Sequence, residues 1–513
     1  MTQLDHHPPA RRTAALAILT LAALAAPLAA RAQQPADTAA GAPLSLDDAL
    51  RIARQNNPTY LASRNDESAA AWGVRSAYAS WLPTASVGSD AGWSATGPVN
   101  LGSVTLTQAP AYYWSSYSAN VGYSVNAANI FNIGRARANR RAAAAGEIAA
   151  ASDLEAAVTR QYLAAMRARD QVDLARQQLQ SAQENLDLAK GRVEVGAAAP
   201  LEGKQASVEV GRARVALVRA QGDLSTQKLR LLQQLGVELD RDIRLTTSFQ
   251  VFDPQWTRAS VMAMAEKQQP RVRALEAQAD AQNAAARAAN SRYLPTISIG
   301  ARWSGITRQI ADDNVLISSV QSAIASDRSQ CEFENELNSR LPSPLPGTGG
   351  DCSQFQLTDS LRNVVLEQNN VFPFQFKRNP FQLTLSISLP IFQGLQRQQQ
   401  VATARAAADD ARYQARAESL RARADANAAL LALKTAYAAA QLEEENRQVA
   451  AEQLEQARER YRVGIASFVD LAQAETLKSE ADQSYLSAVY DFQSALTDLE
   501  AAVGQRLRSE SGQ

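Results

Sequence analysis

Few side chains in this 513-residue sequence have the types and spacing that catalysis requires. Its only histidines are His6 and His7, both close to the amino terminus. Histidine is the side chain best suited to proton transfer near neutral pH and is a frequent metal ligand. If the amino-terminal segment is removed on export, no histidine remains. This argues against an enzyme, although chemistry based on carboxylates alone stays open.

The cysteines predict a cross-link rather than a reactive site. Cys331 and Cys352 flank a polar, proline-rich segment, and no Cys-x-x-Cys pair accompanies them. In an exported protein such a pair normally forms one disulfide, which contributes about 3 kcal/mol by chain entropy. A metal or redox role is the minor alternative. We therefore expect a disulfide between Cys331 and Cys352, no metal, no cofactor and no catalytic residue.

The amino-terminal segment, residues 1–32, is typical of a secretory signal peptide. Two arginines precede the apolar run TAALAILTLAALAAPLAA, and Ala-Arg-Ala at 30–32 offers a small-x-small cleavage site. The run is too short and wrongly flanked for a membrane helix, so we expect export of residues 33–513. The whole chain has 52 basic and 52 acidic side chains. It lacks the basic excess of nucleic-acid-binding proteins, and we expect no nucleic-acid partner.

An internal repeat is the most informative feature of the sequence. Three motifs occur twice in the same order. The matched pairs are YASWLPTASVG (78–88) with NSRYLPTISIG (290–300), YSANVGYSV (117–125) with FQLTLSISL (381–389), and RVEVGAAAPLEGKQA (192–206) with RYRVGIASFVDLAQA (460–474). Pro58 and Pro270 precede the first pair at equal distances. We therefore divide the exported chain into repeat 1, residues 33–256, and repeat 2, residues 257–513.

Each repeat predicts a pair of strands followed by a long helical hairpin. Proline ends a helix at each Leu-Pro-Thr motif, where alternating apolar and polar residues begin a strand. Each strand pair precedes a proline-free, alanine-rich stretch whose helix would be about 100 Å long, a length that favours coiled-coil packing. For repeat 1 the predicted elements are strands 84–94 and 117–125, long helix 130–194, tip 195–199 and return helix 200–235. For repeat 2 they are strands 296–303 and 381–389, the intervening loop 304–380, long helix 393–462, tip 463–467 and return helix 468–503.

The predicted strands have one apolar and one polar face, which is unusual in a helical protein. In 381–389, apolar residues alternate without a fault against Gln, Thr and Ser. Strands of about 8 to 11 residues match one tilted crossing of a bilayer, and aromatic residues stand near their ends as in interfacial girdles. We therefore expect membrane strands, with a soluble β-sandwich as the alternative.

Membrane strands cannot leave edge N–H and C=O groups unpaired in lipid, so the sheet must close. Four strands are too few, because the smallest single-chain barrels need about eight. Copies of the chain must then pool their strands. Two copies would give a barrel of about eight strands with a filled interior, and three would give about twelve strands and a lumen.

Together these motifs resemble the TolC-like outer-membrane factors. The resemblance covers nearly all of the chain after residue 32. It includes the Asn-Pro and Leu-Pro-Thr motifs, the paired strands, Ile391-Phe392 followed by Gly394, and the two Val-Gly tips with a trailing acid. It implies a mainly α fold with a transmembrane β part. Membership would mean a homotrimer with a twelve-stranded β-barrel in the outer membrane, a periplasmic α-helical tunnel and an extracellular loop 304–380.

The same resemblance implies roles for the two tips. Six tip residues would dock onto the helical hairpin of a periplasmic adaptor, namely Val195, Gly196, Ala197, Val463, Gly464 and Ile465. Four residues would form the gate at the closed tunnel entrance, namely Asp470, Gln473, Tyr461 and Glu202. Ala466 departs from the family, which has an arginine at this position. As alternatives, the Val-Gly pairs could be turns without a partner, and Asp470 could simply cap helix 468–503.

The expected function is a passive exit duct for a tripartite efflux or type I secretion system. Its partners would be the adaptor, an inner-membrane pump reached through the adaptor, and outer-membrane lipid. One rival is an outlet dedicated to type I protein secretion rather than drug efflux. A rival of another class is an exported structural coiled coil or adhesin without a lumen.

Overall fold

The computed structural model describes residues 42–101, 104–238, 242–343 and 345–508. The predicted signal peptide, residues 1–32, lies outside these ranges. Helices dominate the described chain, which includes two of 68 and 67 residues and two of 36 residues. Within the described ranges, none of the helices combines the length and apolar character needed to cross a membrane.

One core order occurs twice along the chain: two helices, two strands of the main sheet, a long helix and a return helix. The elements between the two sheet strands differ between the repeats. Repeat 1 contains β1 (Ala42–Leu44), α1 (Leu46–Asn56), α2 (Pro58–Ala79), β2 (Thr84–Ser94), β3 (Gly97–Leu101), β4 (Val104–Ala109), β5 (Tyr112–Asn126), α3 (Ala127–Glu194), α4 (Pro200–Leu235) and β6 (Ile243–Leu245). Repeat 2 contains α5 (Arg258–Gln268), α6 (Pro270–Asn290), β7 (Thr296–Ile310), α7 (Asp313–Ser339), α8 (Asp359–Asn369), β8 (Lys377–Arg378), β9 (Gln382–Ser388), α9 (Gln396–Arg462) and α10 (Phe468–Val503). Pro58 and Pro270 are the first residues of their helices, where the missing N–H has no consequence.

Two strands are longer than the sequence predicts. β5 begins at Tyr112 rather than at residue 117, and β7 ends at Ile310 rather than at residue 303. After Trp303 the apolar residues of β7 change faces, so Ile306 falls on the side that carries Ser298. The backbone pairing of β5 with β7 continues through this change. Alternation therefore ends before the strand does, because backbone hydrogen bonds do not depend on which face is apolar.

The long helices also differ slightly from their predicted starts. α3 begins at Ala127, where Asn126 caps it by accepting a hydrogen bond from the Asn129 N–H. α9 begins at Gln396 rather than at residue 393. Gly394 and Leu395 have φ of 58° and 64°, and two successive left-handed residues interrupt the chain before the helix.

The prediction that residues 304–380 form one loop is wrong. This segment contains the end of β7, then α7, α8 and the short β8. α7 forms because residues 313–339 contain neither proline nor glycine and Asp312 caps the helix through the Asn314 N–H. The sulfur atoms of Cys331 and Cys352 are bonded, which ties α7 to the segment that follows it. A hairpin of β3 with β4 is likewise absent from the predicted elements.

α3 lies at the centre of the helical part. It packs against α2, α4, α6 and α10, while α9 packs against α6 and α10. The buried cluster between α3 and α6 consists of alanines, including Ala138, Ala142, Ala281 and Ala284. Such small side chains allow two helix axes to approach closely.

Each repeat contains the same end-to-end junction between two helices. Gly236 ends α4 against Asn56, at the end of α1 and just before α2, and Gly504 ends α10 against Pro270, at the start of α6. Their φ values are +72° and +75°. A methyl group on Gly236 would lie 2.4 Å from the Asn56 carbonyl oxygen, and one on Gly504 would lie 2.6 Å from Pro270 Cδ. Glycine is therefore required at both junctions, for its conformation and for space.

Four strands form an antiparallel sheet in the order β2-β5-β7-β9, with β8 added to β7 beyond β9. One register row joins Ala85, Val121, Ala301 and Leu383, and the next joins Ser86, Asn120, Arg302 and Gln382. Directly paired residues share a face of the sheet, so these rows define an apolar face and a polar face. The apolar face is exposed in the single chain, with Val87, Ile297, Ile299, Leu385 and Ile387 among its members. Among the described residues, β2 pairs only with β5 and β9 only with β7, which leaves both outer edges open.

Candidate functional site

The two tips are tight turns of the same geometry. Gly196 has a φ of +74° and Gly464 a φ of +83°. Each glycine N–H donates to the carbonyl three residues earlier, at 3.0 and 3.1 Å. The following N–H donates to the carbonyl five residues earlier, at 2.8 and 2.9 Å. This pattern closes a helix C-terminus and depends on a left-handed residue, which explains the glycine in both Val-Gly pairs.

The tip residues present apolar side chains to the surroundings. Val195 is 79% exposed, Val463 is 62% exposed and Ile465 is 79% exposed. The remaining three predicted docking residues, Gly196, Ala197 and Gly464, are exposed as well. All six thus lie on the outer surface of the turns, where another helical molecule could reach them.

Tyr461 lies at the centre of a buried cluster directly behind the tips. Its side chain is fully buried, and its ring meets the Phe468 ring edge-on at a centroid distance of 6.0 Å. The other buried members come from all four long helices and are Ala189, Ala206, Leu454, Leu471 and Ala474. The cluster holds the two hairpins together at the level of their tips.

A polar contact between the hairpins accompanies this packing. The Tyr461 hydroxyl donates to Glu202 Oε2 at 2.9 Å. The Arg192 guanidinium lies 4.3 Å from the centre of the Tyr461 ring and donates to the Tyr461 carbonyl oxygen. Burial, and then the neighbouring Glu202 carboxylate, raise the pKa of Tyr461 to about 12. The hydroxyl therefore stays protonated and able to donate at neutral pH.

Asp470 makes a different contact. Its carboxylate accepts the Ser467 N–H at 2.9 Å and the Ser467 hydroxyl at 2.8 Å, while the Asp470 N–H donates back to that hydroxyl. This is a capping box at the start of α10. The backbone and side-chain hydrogen bonds from Ser467 hold the pKa of Asp470 below its ordinary value. The structure thus joins Tyr461 with Glu202, whereas Asp470 bonds to Ser467 and Gln473 is exposed.

The family model for outer membrane efflux proteins matches residues 49–237 and 362–505, which is more than half of the sequence. The chain belongs to the outer membrane efflux protein family. The family predicted from the motifs is therefore confirmed. No functionally curated protein matches the sequence.

Solved structures share the fold of this chain at low sequence identity. The outer membrane protein VceC of Vibrio cholerae is 16% identical with a TM-score of 0.63, covering 90% of this chain and 97% of VceC. The CmeC outer membrane channel of Campylobacter jejuni is 16% identical with a TM-score of 0.64, covering 90% and 87%. The open state of the MtrE outer membrane channel of Neisseria gonorrhoeae is 17% identical with a TM-score of 0.63, covering 90% and 89%. The mainly helical, repeated fold predicted from the sequence is thereby confirmed.

Behind the tips, two groups of inter-hairpin contacts are not predicted by the sequence. One is Arg192 on Tyr461, described above. The other surrounds Glu475 of α10, which accepts from Ser181 and Asn185 of α3 at 2.8 Å each and from Arg458 of α9 at 2.7 Å. These residues are far apart in sequence, and only the packing of α10 against both α3 and α9 brings them together. A basic residue in the last turn of a hairpin helix was the one available signal for Arg192.

Proposed function

We propose that three copies of this chain assemble into an outer-membrane channel and tunnel that serves as the passive exit duct of a tripartite efflux system. The sheet carries this proposal. It has an exposed apolar face, a polar face and two open edges, so it suits neither water nor lipid as a single four-stranded unit. Three copies would join β2 of one to β9 of the next in a barrel of about twelve strands, with the polar face around a lumen.

The helices would continue this wall as a periplasmic tunnel. Each strand of the sheet is directly continued by a helix, and the helix order α2-α3-α6-α9 follows the strand order β2-β5-β7-β9. A closed barrel therefore implies a closed ring of helices beneath it. Export by residues 1–32 and an outer-membrane location complete this proposal.

The tips are the proposed contact with a periplasmic adaptor, through which an inner-membrane pump would supply the energy. Val195, Val463 and Ile465 offer exposed apolar side chains of a size that fits the grooves of a helical hairpin. The paired glycines hold these side chains outward on rigid turns.

Tyr461, Glu202, Asp470 and Gln473 form the proposed gate. The Tyr461–Glu202 hydrogen bond would keep the two hairpins of one subunit together in the closed state. Three-fold symmetry would gather three Asp470 carboxylates around one axis, where their combined field favours cations. The capping role of Asp470 is compatible with this, since one carboxylate can accept from Ser467 and still carry its charge.

Assembly and conduction test the duct directly. The full-length protein, extracted in detergent, should have the mass of three chains by native mass spectrometry and should conduct ions in planar bilayers. A monomer that dissolves without any detergent would overturn the proposal and favour the structural coiled coil. Trimers that never conduct would remove the lumen.

A second experiment tests the gate. Asp470→Asn keeps an oxygen that can accept from Ser467 but removes the charge. It should lower the preference of the channel for cations and weaken block by trivalent cations. Glu480→Ala, which removes an exposed carboxylate further along α10, is the matched control and should change neither. If Asp470→Asn behaves like the control, Asp470 is a cap and not part of a gate.

The transported cargo needs a cellular assay. In a deletion strain, sensitivity to toxic small molecules with unchanged secreted proteins would support efflux. Loss of a secreted protein with unchanged sensitivity would instead assign the duct to type I secretion.

A further inference from the structure

A short aromatic segment, residues 371–376, lies against the outer end of the sheet. The Phe372 ring packs on Tyr113 at a centroid distance of 5.5 Å, and the Phe376 ring packs edge-on against Tyr117 at 4.9 Å. Between them, the Ser115 hydroxyl donates to the Pro373 carbonyl oxygen at 2.6 Å. Three successive contacts thus fix the segment on one face of β5.

That face is the apolar face. Tyr113, Ser115 and Tyr117 alternate along β5 with the same phase as Val121, so all four point to the same side. Gly305 of β7 pairs with Tyr117, and a methyl group there would lie 2.5 Å from Tyr117 Cε1. Glycine therefore leaves space for the Tyr117 ring to lie across β7 beneath the segment. Segment 371–376 consequently covers the side of the sheet that would face lipid, rather than the lumen.

The segment lies just beyond the end of the apolar band. The rings of Trp303 and Phe381, tilted and 4.8 Å apart, lie in the outermost row of this face that holds an aliphatic side chain larger than alanine. Further out, the face carries aromatic, small and polar side chains, including Trp93. From Leu389 to Phe381 the apolar face rises about 20 Å along the barrel axis after strand tilt, close to the ~25 Å band of membrane barrels. The row of Gly305 lies two residues further out, about 5 Å higher. That level corresponds to the lipid headgroups.

Two exposed side chains project from this position. Phe374 is 81% exposed although its neighbours Phe372 and Phe376 pack on the sheet. Arg378 pairs with Gly305, so its exposed side chain lies on the apolar-face side of the sheet. Lys377 pairs with Ile306 and lies on the opposite side. An exposed aromatic ring and a guanidinium thus stand together directly above an apolar band.

We propose that residues 371–378 form an interfacial anchor that binds the phosphate-bearing headgroup layer of the outer leaflet. This rests on the proposed function, which supplies the membrane and the orientation of the barrel. Phe374 inserts between lipids at the level where aromatic residues are most stable, and Arg378 binds headgroup phosphate through its planar guanidinium. The anchor would fix the height of the barrel in the membrane. It would also hold the segment between β7 and β9, which contains the disulfide, against the membrane surface.

Site-directed spin labelling of the full-length protein in vesicles tests the insertion of Phe374. The chain has only two cysteines, and both are bonded to each other, so an introduced cysteine is the sole free thiol. Three positions are labelled: Phe374→Cys, Leu385→Cys on the apolar face, and Phe333→Cys on exposed α7 as the matched control. The ratio of relaxation by oxygen to relaxation by a water-soluble nickel chelate should be highest at Leu385 and lowest at Phe333. At Phe374 it should exceed the Phe333 value several-fold.

The outcomes separate the anchor from the duct. A Leu385 label in hydrocarbon with a Phe374 label as water-accessible as that at Phe333 would overturn the anchor and leave the duct intact. A water-accessible label at Leu385 would overturn the membrane placement itself, and the anchor with it.

Lipid charge tests Arg378. In vesicles that mix phosphatidylglycerol and phosphatidylcholine, energy transfer from a fluorophore at Phe374→Cys to labelled phosphatidylglycerol reports local enrichment of anionic lipid. Arg378→Gln should lower that enrichment up to about fivefold, which corresponds to about 1 kcal/mol for one basic side chain at an anionic surface. Lys377→Gln removes the same charge from the opposite side and should leave enrichment unchanged. Equal effects of the two variants would overturn the assignment of phosphate to Arg378.

Discussion

The two tips have the same turn geometry but differ in what the acidic side chain after the turn contacts. Glu202 and Asp470 occupy equivalent positions in the repeat, each at the third position of its return helix. In α10, Ser467 caps the helix and Asp470 completes the capping box. In α4 the equivalent cap is Ala199, which has no side-chain hydrogen bond. Glu202 is therefore not engaged at its own helix and accepts from Tyr461 of the other hairpin instead. The repeat that lacks a capping hydroxyl, repeat 1, is thus the one whose acid contacts the other repeat.

The largest effect is expected from removing the ring on which both tips depend. Tyr461→Ala deletes a fully buried aromatic side chain, which should lower the free energy of local opening by about 3–5 kcal/mol. Hydrogen exchange should accelerate in both tips, over residues 189–206 and 454–475. Val463→Ala, at an exposed neighbour, is the control. Acceleration confined to the second tip would show that the hairpins are not coupled through Tyr461.

The shared turn predicts equal effects in the two repeats. Gly196→Ala and Gly464→Ala should each destabilise their tip by roughly 1–2 kcal/mol, because alanine is strained at positive φ. A methyl group meets no atom within 4 Å at Gly196 and only Arg192 Nη2 at 3.6 Å at Gly464, so the strain is conformational in both. Gly203→Ala, in the helical part of α4 with nothing within 4 Å, should instead stabilise slightly. Thermal unfolding and hydrogen exchange measure both, and clearly unequal effects would break the equivalence.

We expect a smaller loss of stability, dependent on alkaline pH, from removing the Tyr461–Glu202 hydrogen bond between the two hairpins. Tyr461→Phe keeps the ring and loses the hydrogen bond to Glu202, which should lower the stability of the tips by about 1 kcal/mol. In the wild type, the pKa of Tyr461 is raised from its ordinary value of 10 to about 12. The stabilisation is therefore complete below pH 10 and is lost as the pH rises through about 12. The phenylalanine variant should show no such loss between these values when tip exchange is measured against pH.

We expect the smallest loss of stability, dependent on acid pH, from removing the Ser467 cap of α10. Ser467→Ala should destabilise the start of α10 by about 0.5–1 kcal/mol, as measured by exchange of its first amides. Because the pKa of Asp470 is lowered, the contribution of the ionised carboxylate to the box is complete above 3.8. It disappears as the pH falls through the lower folded value, so the difference between the wild type and the variant should narrow there. The part that comes from the Ser467 hydroxyl accepting the Asp470 N–H should remain.

A reciprocal substitution sharpens the comparison. Ala199→Ser would place a hydroxyl three residues before Glu202, the spacing of a capping box. Glu202 would then accept at its own helix, and the pKa of Tyr461 should fall towards its ordinary value. An unchanged alkaline titration of Tyr461 would show that the missing hydroxyl in α4 does not govern the contact.

Local rules account for what the sequence predicts well. Pro58 and Pro270 begin helices because proline lacks a donor, and Gly196 and Gly464 make turns because they accept positive φ. Such preferences act within a few residues and can therefore be predicted from the local sequence. The internal repeat strengthens them, since each motif appears in two independent contexts.

What the sequence does not predict depends on contacts over long distances. The outer part of β7 is held by pairing with β5, after alternation has ceased to mark a strand. α7 has no counterpart among the described residues of repeat 1 against which it could be recognised. Arg192 aligns with Arg460 in the repeat, but its contact is with Tyr461 of the other copy. Internal symmetry identifies equivalent positions, whereas function at the tips arises where the copies differ.

The matched lengths of the hairpins have a consequence for engineering. α3 and α9 have 68 and 67 residues, and α4 and α10 have 36 each. The two hairpins therefore have nearly the same length and end at the same level. Lengthening one hairpin alone would lift one tip clear of Tyr461 and its neighbours. Adding whole turns to both at the same level would preserve every contact at the end and move it outward by about 1.5 Å per residue. The two hairpins can therefore be lengthened or shortened only by the same amount if the contacts at the tips are to be kept.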